Sequence, residues 1–254
     1  MSLLEIIERN EKLVKNDDRK LSELYGTENF NYFIYSLIKM DKPKTVVELG
    51  SGLGTTTLMM AQAIKENQIG TLHTIDDGSD WDILKKFLDN ENRDYQEFIN
   101  ELLNKYKVKD YVKYYKQNIN ENSFFQCKNI DIIFFDCWEA GAKGCVNLIK
   151  NYLPKMSGYS HMFFDRSSTI HHAFLILEQV IQYLQKGKIP DIIKEGLTKK
   201  EITDLKEFVD SSKFTLIHLN DNKYGKKNSL QNSRSWIKIE PIDIFHHNNV
   251  ENFL

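Results

Sequence analysis

Cysteine is scarce in this chain. Its 254 residues hold three, Cys127, Cys137 and Cys145. An odd number without a C-x-x-C pair argues against a disulfide framework or a thiolate zinc site, and suits a reducing compartment. Excess charge is lacking too: 34 Lys and Arg against 36 Asp and Glu leave a formal net charge of −2. Nothing there attracts polyanions in general, so nucleic acid is not an expected partner. No uninterrupted apolar run approaches the length of a membrane span, so no membrane partner is expected. The opening MSLLEIIERN carries acids inside its apolar part and no small-residue cleavage pattern, so a signal peptide is not expected and the expected location is cytoplasmic. Internal repeats and low-complexity linkers are missing. What is there, 41% hydrophobic residues and 12 glycines, suffices for one sizeable core with decorations.

The most informative stretch runs from Thr45 to Thr57. Thr45 to Leu49 is β-branched and aliphatic, as a strand buried on both faces requires. Gly50, Gly52 and Gly54 alternate after it, and glycine allows the positive φ and close backbone approach of a ligand-gripping turn. From Thr55 the pattern becomes helical, so free N–H groups at the helix start face back onto the turn and attract an anion. A dinucleotide fingerprint G-x-G-x-x-G would need glycine at position 55, which is Thr, and Glu48 at the strand end would repel a pyrophosphate. A ligand with both an ammonium and a carboxylate suits the pattern better. S-adenosylmethionine is one.

These residues, Glu48-Leu49-Gly50-Ser51-Gly52-Leu53-Gly54, resemble the first motif of the class I S-adenosylmethionine-dependent methyltransferases, and the likeness runs over roughly residues 22 to 240. Small-molecule O-methyltransferases of the catechol-type and sugar-modifying branches look most similar. The resemblance implies an α/β fold with a doubly wound, Rossmann-like sheet of seven strands. That sheet is mostly parallel with an antiparallel last strand, and helices flank it. It implies an N-terminal helical cap over residues 1–40, a methyltransferase domain over 41–242 with a helical insertion near 186–210, and a tail over 243–254. A small-molecule acceptor is the implied partner, and a homodimer is compatible with it.

Acids then recur where strands end. Gly70 to Asp77 reads as a strand closing in Asp76 and Asp77, and Asp76 lies about 20 residues past the glycine loop, where doubly wound folds place a ribose ligand. Asp77 is the alternative in register. Val112 to Lys116 is a third strand; in the resembled family the loop after it meets the adenine, commonly through an acid, and the resemblance implies that Asn118 takes that place, with Gln117 blurring the register. Asn129 to Phe135 is the most strand-like run, closed by Asp136. Tyr159 to Phe164 is a fifth strand closed by Asp165 and Arg166.

In metal-dependent relatives of the resembled family, an acid after the fourth strand and an Asp-Asn pair after the fifth hold a divalent cation such as Mg²⁺. Asp136 and Asp165 match two of those ligands, but Arg166 stands where the Asn would be, and a guanidinium opposes a cation. Asp136, Asp165, His171 and His172 are the candidates for acceptor chemistry, with a histidine or a carboxylate as base. Glu48, Gly50, Ser51, Gly52, Thr55, Asp76, Asp77, Asn118 and Asp136 are the candidates for cofactor binding, with Tyr25 and Thr27 as further lining residues. Phe214 to Leu219 and Ser235 to Glu240 read as a closing strand pair. An RNA 2′-O-methyltransferase, using Asp136 and Glu240, a nicotinamide-dependent oxidoreductase, and a binding protein that keeps the cofactor fold without transfer are the rival readings.

Overall fold

The computed structural model describes residues 2–15, 28–88, 91–119, 125–136, 142–165, 173–220 and 233–242. Strand β1 (Thr45–Leu49) is flanked by β2 (Thr71–Ile75) and β4 (Ile130–Phe135), both parallel to it. Strand β3 (Val112–Tyr115) adds outside β2, and β5 (Met156–Asp165) outside β4. Strand β7 (Ser233–Pro241) then runs antiparallel between β5 and β6 (Ser212–Asn220). The order is β3-β2-β1-β4-β5-β7-β6, a seven-stranded sheet with β7 alone reversed. Its strand order turns back between β1 and β4, the point where doubly wound sheets bind ligands at their carboxyl ends.

β4 sits at the centre because from Ile132 to Phe135 it offers apolar side chains to both faces, all of them fully buried. One face packs against helices α1 (Leu3–Lys15), α2 (Glu28–Asp41), α3 (Thr55–Asn67) and α5 (Tyr95–Lys105), with a short helix α4 (Trp81–Leu84) before the last. The other face packs against α6 (Ala142–Tyr152), α7 (Ala173–Gln185) and α9 (Lys199–Asp210), with the short α8 (Asp191–Lys194) between. The aromatic stripe of α2 lies on the sheet: Phe30 meets Phe134 at 4.8 Å and Phe163 at 5.4 Å between ring centres.

Two details depart from the expected element bounds. The fifth strand begins three residues earlier than the apolar pattern suggests, and its register against β4 shifts between Ile130 and Ile132. Ser157, Gly158 and Tyr159 fill that irregularity at the exposed edge, where a polar run can keep extended geometry without a core. Helix α1 buries a narrower stripe than its aliphatic spacing predicts. Ile6 is buried, whereas Leu4 is exposed, because the helix turns Arg9 and Asn10 inward.

Candidate functional site

The glycine loop leaves β1 at the carboxyl edge of the sheet and enters α3. Gly50, Gly52 and Gly54 all have positive φ, at 96°, 50° and 73°. Gly50 is demanded twice over: a Cβ there would lie 1.9 Å from the backbone oxygen of Asp136. That close approach clips the loop to the end of β4, and the Asp136 amide donates to Leu49 O at 2.8 Å. Gly54 caps α3 without a side chain, and no acid stands in the helix's first turn. The first-turn amides of the helix are therefore left uncapped by any side chain of their own segment.

Glu48 lies beneath this loop, fully buried. Its Oε2 accepts from the Thr57 and Thr74 hydroxyls at 2.7 and 2.6 Å. Its Oε1 is buried with no hydrogen-bond partner among the described residues. Burial pushes the Glu48 carboxyl up to about 7, against the pull of the two threonine hydroxyls, and the nearby Asp76 charge adds to the rise. A buried acceptor whose lone pairs meet no donor is costly, and a ligand ammonium is the kind of donor that satisfies it.

Asp76 is turned toward the loop. Its Oδ2 accepts from the Ser51 amide at 2.9 Å, the Gly52 amide at 3.1 Å and the Tyr95 hydroxyl at 3.1 Å, while Oδ1 accepts from the Gly78 amide at 2.8 Å. Desolvation raises its pKa and these donors pull it back. Asp77, next along, commits Oδ1 to the Ser79 amide at 2.8 Å in a tight local turn. Thr55 and Ser51 are buried at the loop, and Asn118 is half-buried after β3.

Asp136 and Asp165 end neighbouring strands, since Phe135 pairs with Phe164. They do not share one environment. Asp136 is half-buried, whereas the Asp165 carboxylate is enclosed and lies 2.9 Å from Arg234 Nε, both side chains under 5% exposed. The Arg234 guanidinium also stacks over Phe30 at 4.7 Å. This pairing fits a divalent cation poorly, because a guanidinium already holds the charge of the second expected ligand. Among the described residues no three His, Cys, Asp or Glu side chains gather as a metal site. Arg166, His171, His172, Tyr25 and Thr27 lie outside the described residues. Glu240 lies at the opposite edge: Asp165 pairs with Arg234 and Ser160 with Ile239 along β5 and β7. Strand rise then separates it from Asp136 by roughly 20 Å, so the two carboxylates of the RNA-directed reading do not meet.

Four residues of the site were not anticipated. Tyr95 places its hydroxyl 2.9 Å from Gly52 O, and Arg9 places Nη2 2.7 Å from Leu53 O. Asn10 Nδ2 donates to Thr55 O at 3.2 Å, and Arg234 neutralises Asp165. The signal for Arg9 and Asn10 was their position three and four residues after Ile6, on the one stripe of α1 that is buried. For Arg234 it was the two-residue spacing from Trp236, which puts both on one face of β7.

Residues 47–167 match a family model described as a methyltransferase domain. No curated protein sequence matches the chain. Among solved structures, the O-methyltransferase TomG from Streptomyces achromogenes, crystallised with S-adenosylmethionine, is 13% identical, with 93% of this chain and 90% of that one covered and a TM-score of 0.49. An O-methyltransferase from Bacillus cereus, in complex with S-adenosylhomocysteine, is 10% identical over 91% and 90% of the two chains, with a TM-score of 0.47. The S-adenosylhomocysteine-bound PaMTH1 of Podospora anserina is 13% identical over 96% and 97%, with a TM-score of 0.46.

Proposed function

We propose that this chain, whose residues 47–167 match a methyltransferase-domain model, moves a methyl group from S-adenosylmethionine to a hydroxyl of a small molecule. One observation carries the cofactor: a bare-backbone loop lies between a buried carboxylate oxygen without a donor among the described residues, Glu48 Oε1, and a helix start without a side-chain cap, at Gly54. An amino acid end, cation and anion together, answers both at once. A pyrophosphate answers only the second and is repelled by the first.

When bound, the cofactor supplies an electrophilic methyl group on a sulfonium. The chain's own residues have the tasks of gripping and orienting. Gly50, Gly52 and the Thr55 helix start take the amino acid end, and Glu48 answers the ammonium from beneath. Asp77 has one carboxylate oxygen committed locally and takes the ribose; Asp76 spends its own oxygens on the loop and shapes it. Asn118 takes the adenine, whose exocyclic amine its side-chain carbonyl accepts. Asp136, at the carboxyl end of the central strand, faces the acceptor and receives the hydroxyl proton as the O–CH₃ bond forms and the S–CH₃ bond breaks. Asp165 is held by Arg234 and keeps its charge within the protein, so the reaction runs without a divalent cation. A sheet edge lined by half-buried side chains and a net charge of −2 suit a small acceptor rather than a polyanion.

Calorimetric titration tests the cofactor: S-adenosylhomocysteine binds and NAD does not. NAD binding in its place would refute the reading. Asp136→Asn keeps the affinity for S-adenosylhomocysteine and loses turnover of any acceptor that the wild type methylates. A chelator leaves wild-type turnover unchanged.

A further inference from the structure

We propose that Arg9 is a positioning residue for the cofactor, holding the backbone of residues 53–55 from the N-terminal helix so that the start of α3 meets the amino acid end of the ligand. The inference rests on the S-adenosylmethionine reading above and extends the site to an element outside the matched domain.

Three hydrogen bonds carry it. Arg9 Nη2 donates to Leu53 O at 2.7 Å, Arg9 Nη1 donates to Asn10 Oδ1 at 3.0 Å, and Asn10 Nδ2 donates to Thr55 O at 3.2 Å. The pair is thus locked together and grips alternate carbonyls of the loop and first helical turn. A trans peptide is planar, so pinning the carbonyls of Leu53 and Thr55 toward α1 sends the amides of Gly54 and Thr56 the other way. The Gly54 amide closes the loop on Ser51 O at 2.8 Å. That leaves the Thr55–Thr57 turn as the anion-facing end, with Gly54 contributing no side-chain cap.

Charge separates this role from simple packing. A guanidinium beside the positive end of a helix is a like-sign placement, and the carboxylates already near that end are committed, Asp76 to the Ser51 and Gly52 amides and Glu48 to the Thr57 hydroxyl. The same carbonyls need only neutral donors, so a role limited to satisfying them gives no reason for a cation. A ligand carboxylate supplies the reason, because it is attracted by the helix start and by Arg9 together. Burial pushes the Arg9 guanidinium down to about 10, which leaves it charged at neutral pH.

The test uses the full chain and two probes, S-adenosylhomocysteine and 5′-methylthioadenosine, which keeps the nucleoside and sulfur but lacks the amino acid end. Arg9→Ala is expected to weaken S-adenosylhomocysteine by about tenfold while 5′-methylthioadenosine affinity stays within about twofold, since only the former reaches the Thr55 turn. Arg9→Lys, which keeps the charge without the fork, recovers part of the loss. Unchanged S-adenosylhomocysteine affinity in Arg9→Ala, or an equal loss for both probes, would overturn the proposal, the second outcome marking a structural role alone. Should Arg9→Ala not fold, Asn10→Asp, which turns the donor facing Thr55 O into an acceptor, is expected to show the same selective loss. Wild-type protein that binds 5′-methylthioadenosine and NAD but not S-adenosylhomocysteine would sink the cofactor reading itself.

Discussion

Glu48 is the residue at which structure and chemistry conflict most, and its titration exposes the conflict. The carboxyl is fully buried and its folded pKa is raised to about 7 from an ordinary 4.5, with desolvation as the first cause. A carboxyl whose folded pKa is raised holds its proton more tightly in the native state. Its stabilising effect is therefore complete below pH 4.5 and is lost as pH climbs to about 7. The loss amounts to about 3 kcal/mol across that window. Glu48→Gln has no proton to lose. Denaturant unfolding of both proteins at pH 5 and pH 8 should show wild type losing about 2.5 kcal/mol more than the variant, since a little of the effect is already gone at pH 5. Equal losses would mean that the carboxylate is already charged at pH 5 in the native protein.

At the scale of elements, the β5–β7 pair fixes the surroundings of Asp165. Asp165 and Arg234 are register partners on antiparallel neighbours, so their side chains leave the same face of the sheet. Both are nearly inaccessible to solvent; Arg234 Nε and Asp165 Oδ1 lie 2.9 Å apart as an ion pair without hydrogen-bond alignment, and Arg234 Nη2 is also buried without a hydrogen-bond partner among the described residues. Removing one charge from such a pair strands the other. Arg234→Met is expected to cost about 3 kcal/mol or more, whereas Asp165→Asn combined with Arg234→Met recovers most of it. Urea unfolding of the single and double variants measures this. A single variant within 1 kcal/mol of wild type would show that Asp165 is charge-compensated elsewhere (on the order of what a surface pair contributes).

These elements were legible to very different degrees. The sequence reading placed β1 at Thr45 to Leu49 and began α3 at Thr55, as observed. Both are written in local chemistry, a β-branched run and a glycine punctuation. The closing hairpin was found for the same reason. The partner of Asp165 was not, because 69 residues separate it from Arg234 in the chain and no local pattern encodes an ion pair across two strands. Tyr95 escaped likewise. Its neighbours announce only a helix start, through the capping box of Asp94 and Glu97, and its bond to Asp76 depends on how α5 folds back. The glycine loop is visible as a motif and Asp76 as an acid closing β2; the other side chains that hold the loop come from α1 and α5, elements that periodicity identifies as packing.

At the scale of the whole molecule, those same anchors make the loop a junction. Arg9 and Asn10 reach it from α1, Asp76 from the end of β2, Tyr95 from α5, and the backbone of Asp136 from β4. A ligand seated on the loop is thus linked to helices on one face and to three strands, so its binding energy opposes unfolding of the domain as a unit. Ligand that binds only the folded state, present at a hundred times its dissociation constant, adds about 2.7 kcal/mol. For a chain of this size that corresponds to a rise of roughly 5–10 °C in melting temperature. S-adenosylhomocysteine should produce a shift of that size in a single transition, and NAD none. If calorimetry instead shows S-adenosylhomocysteine splitting the melt in two, with one part unmoved, the α1 and α5 anchors do not transmit binding and the loop is an isolated turn.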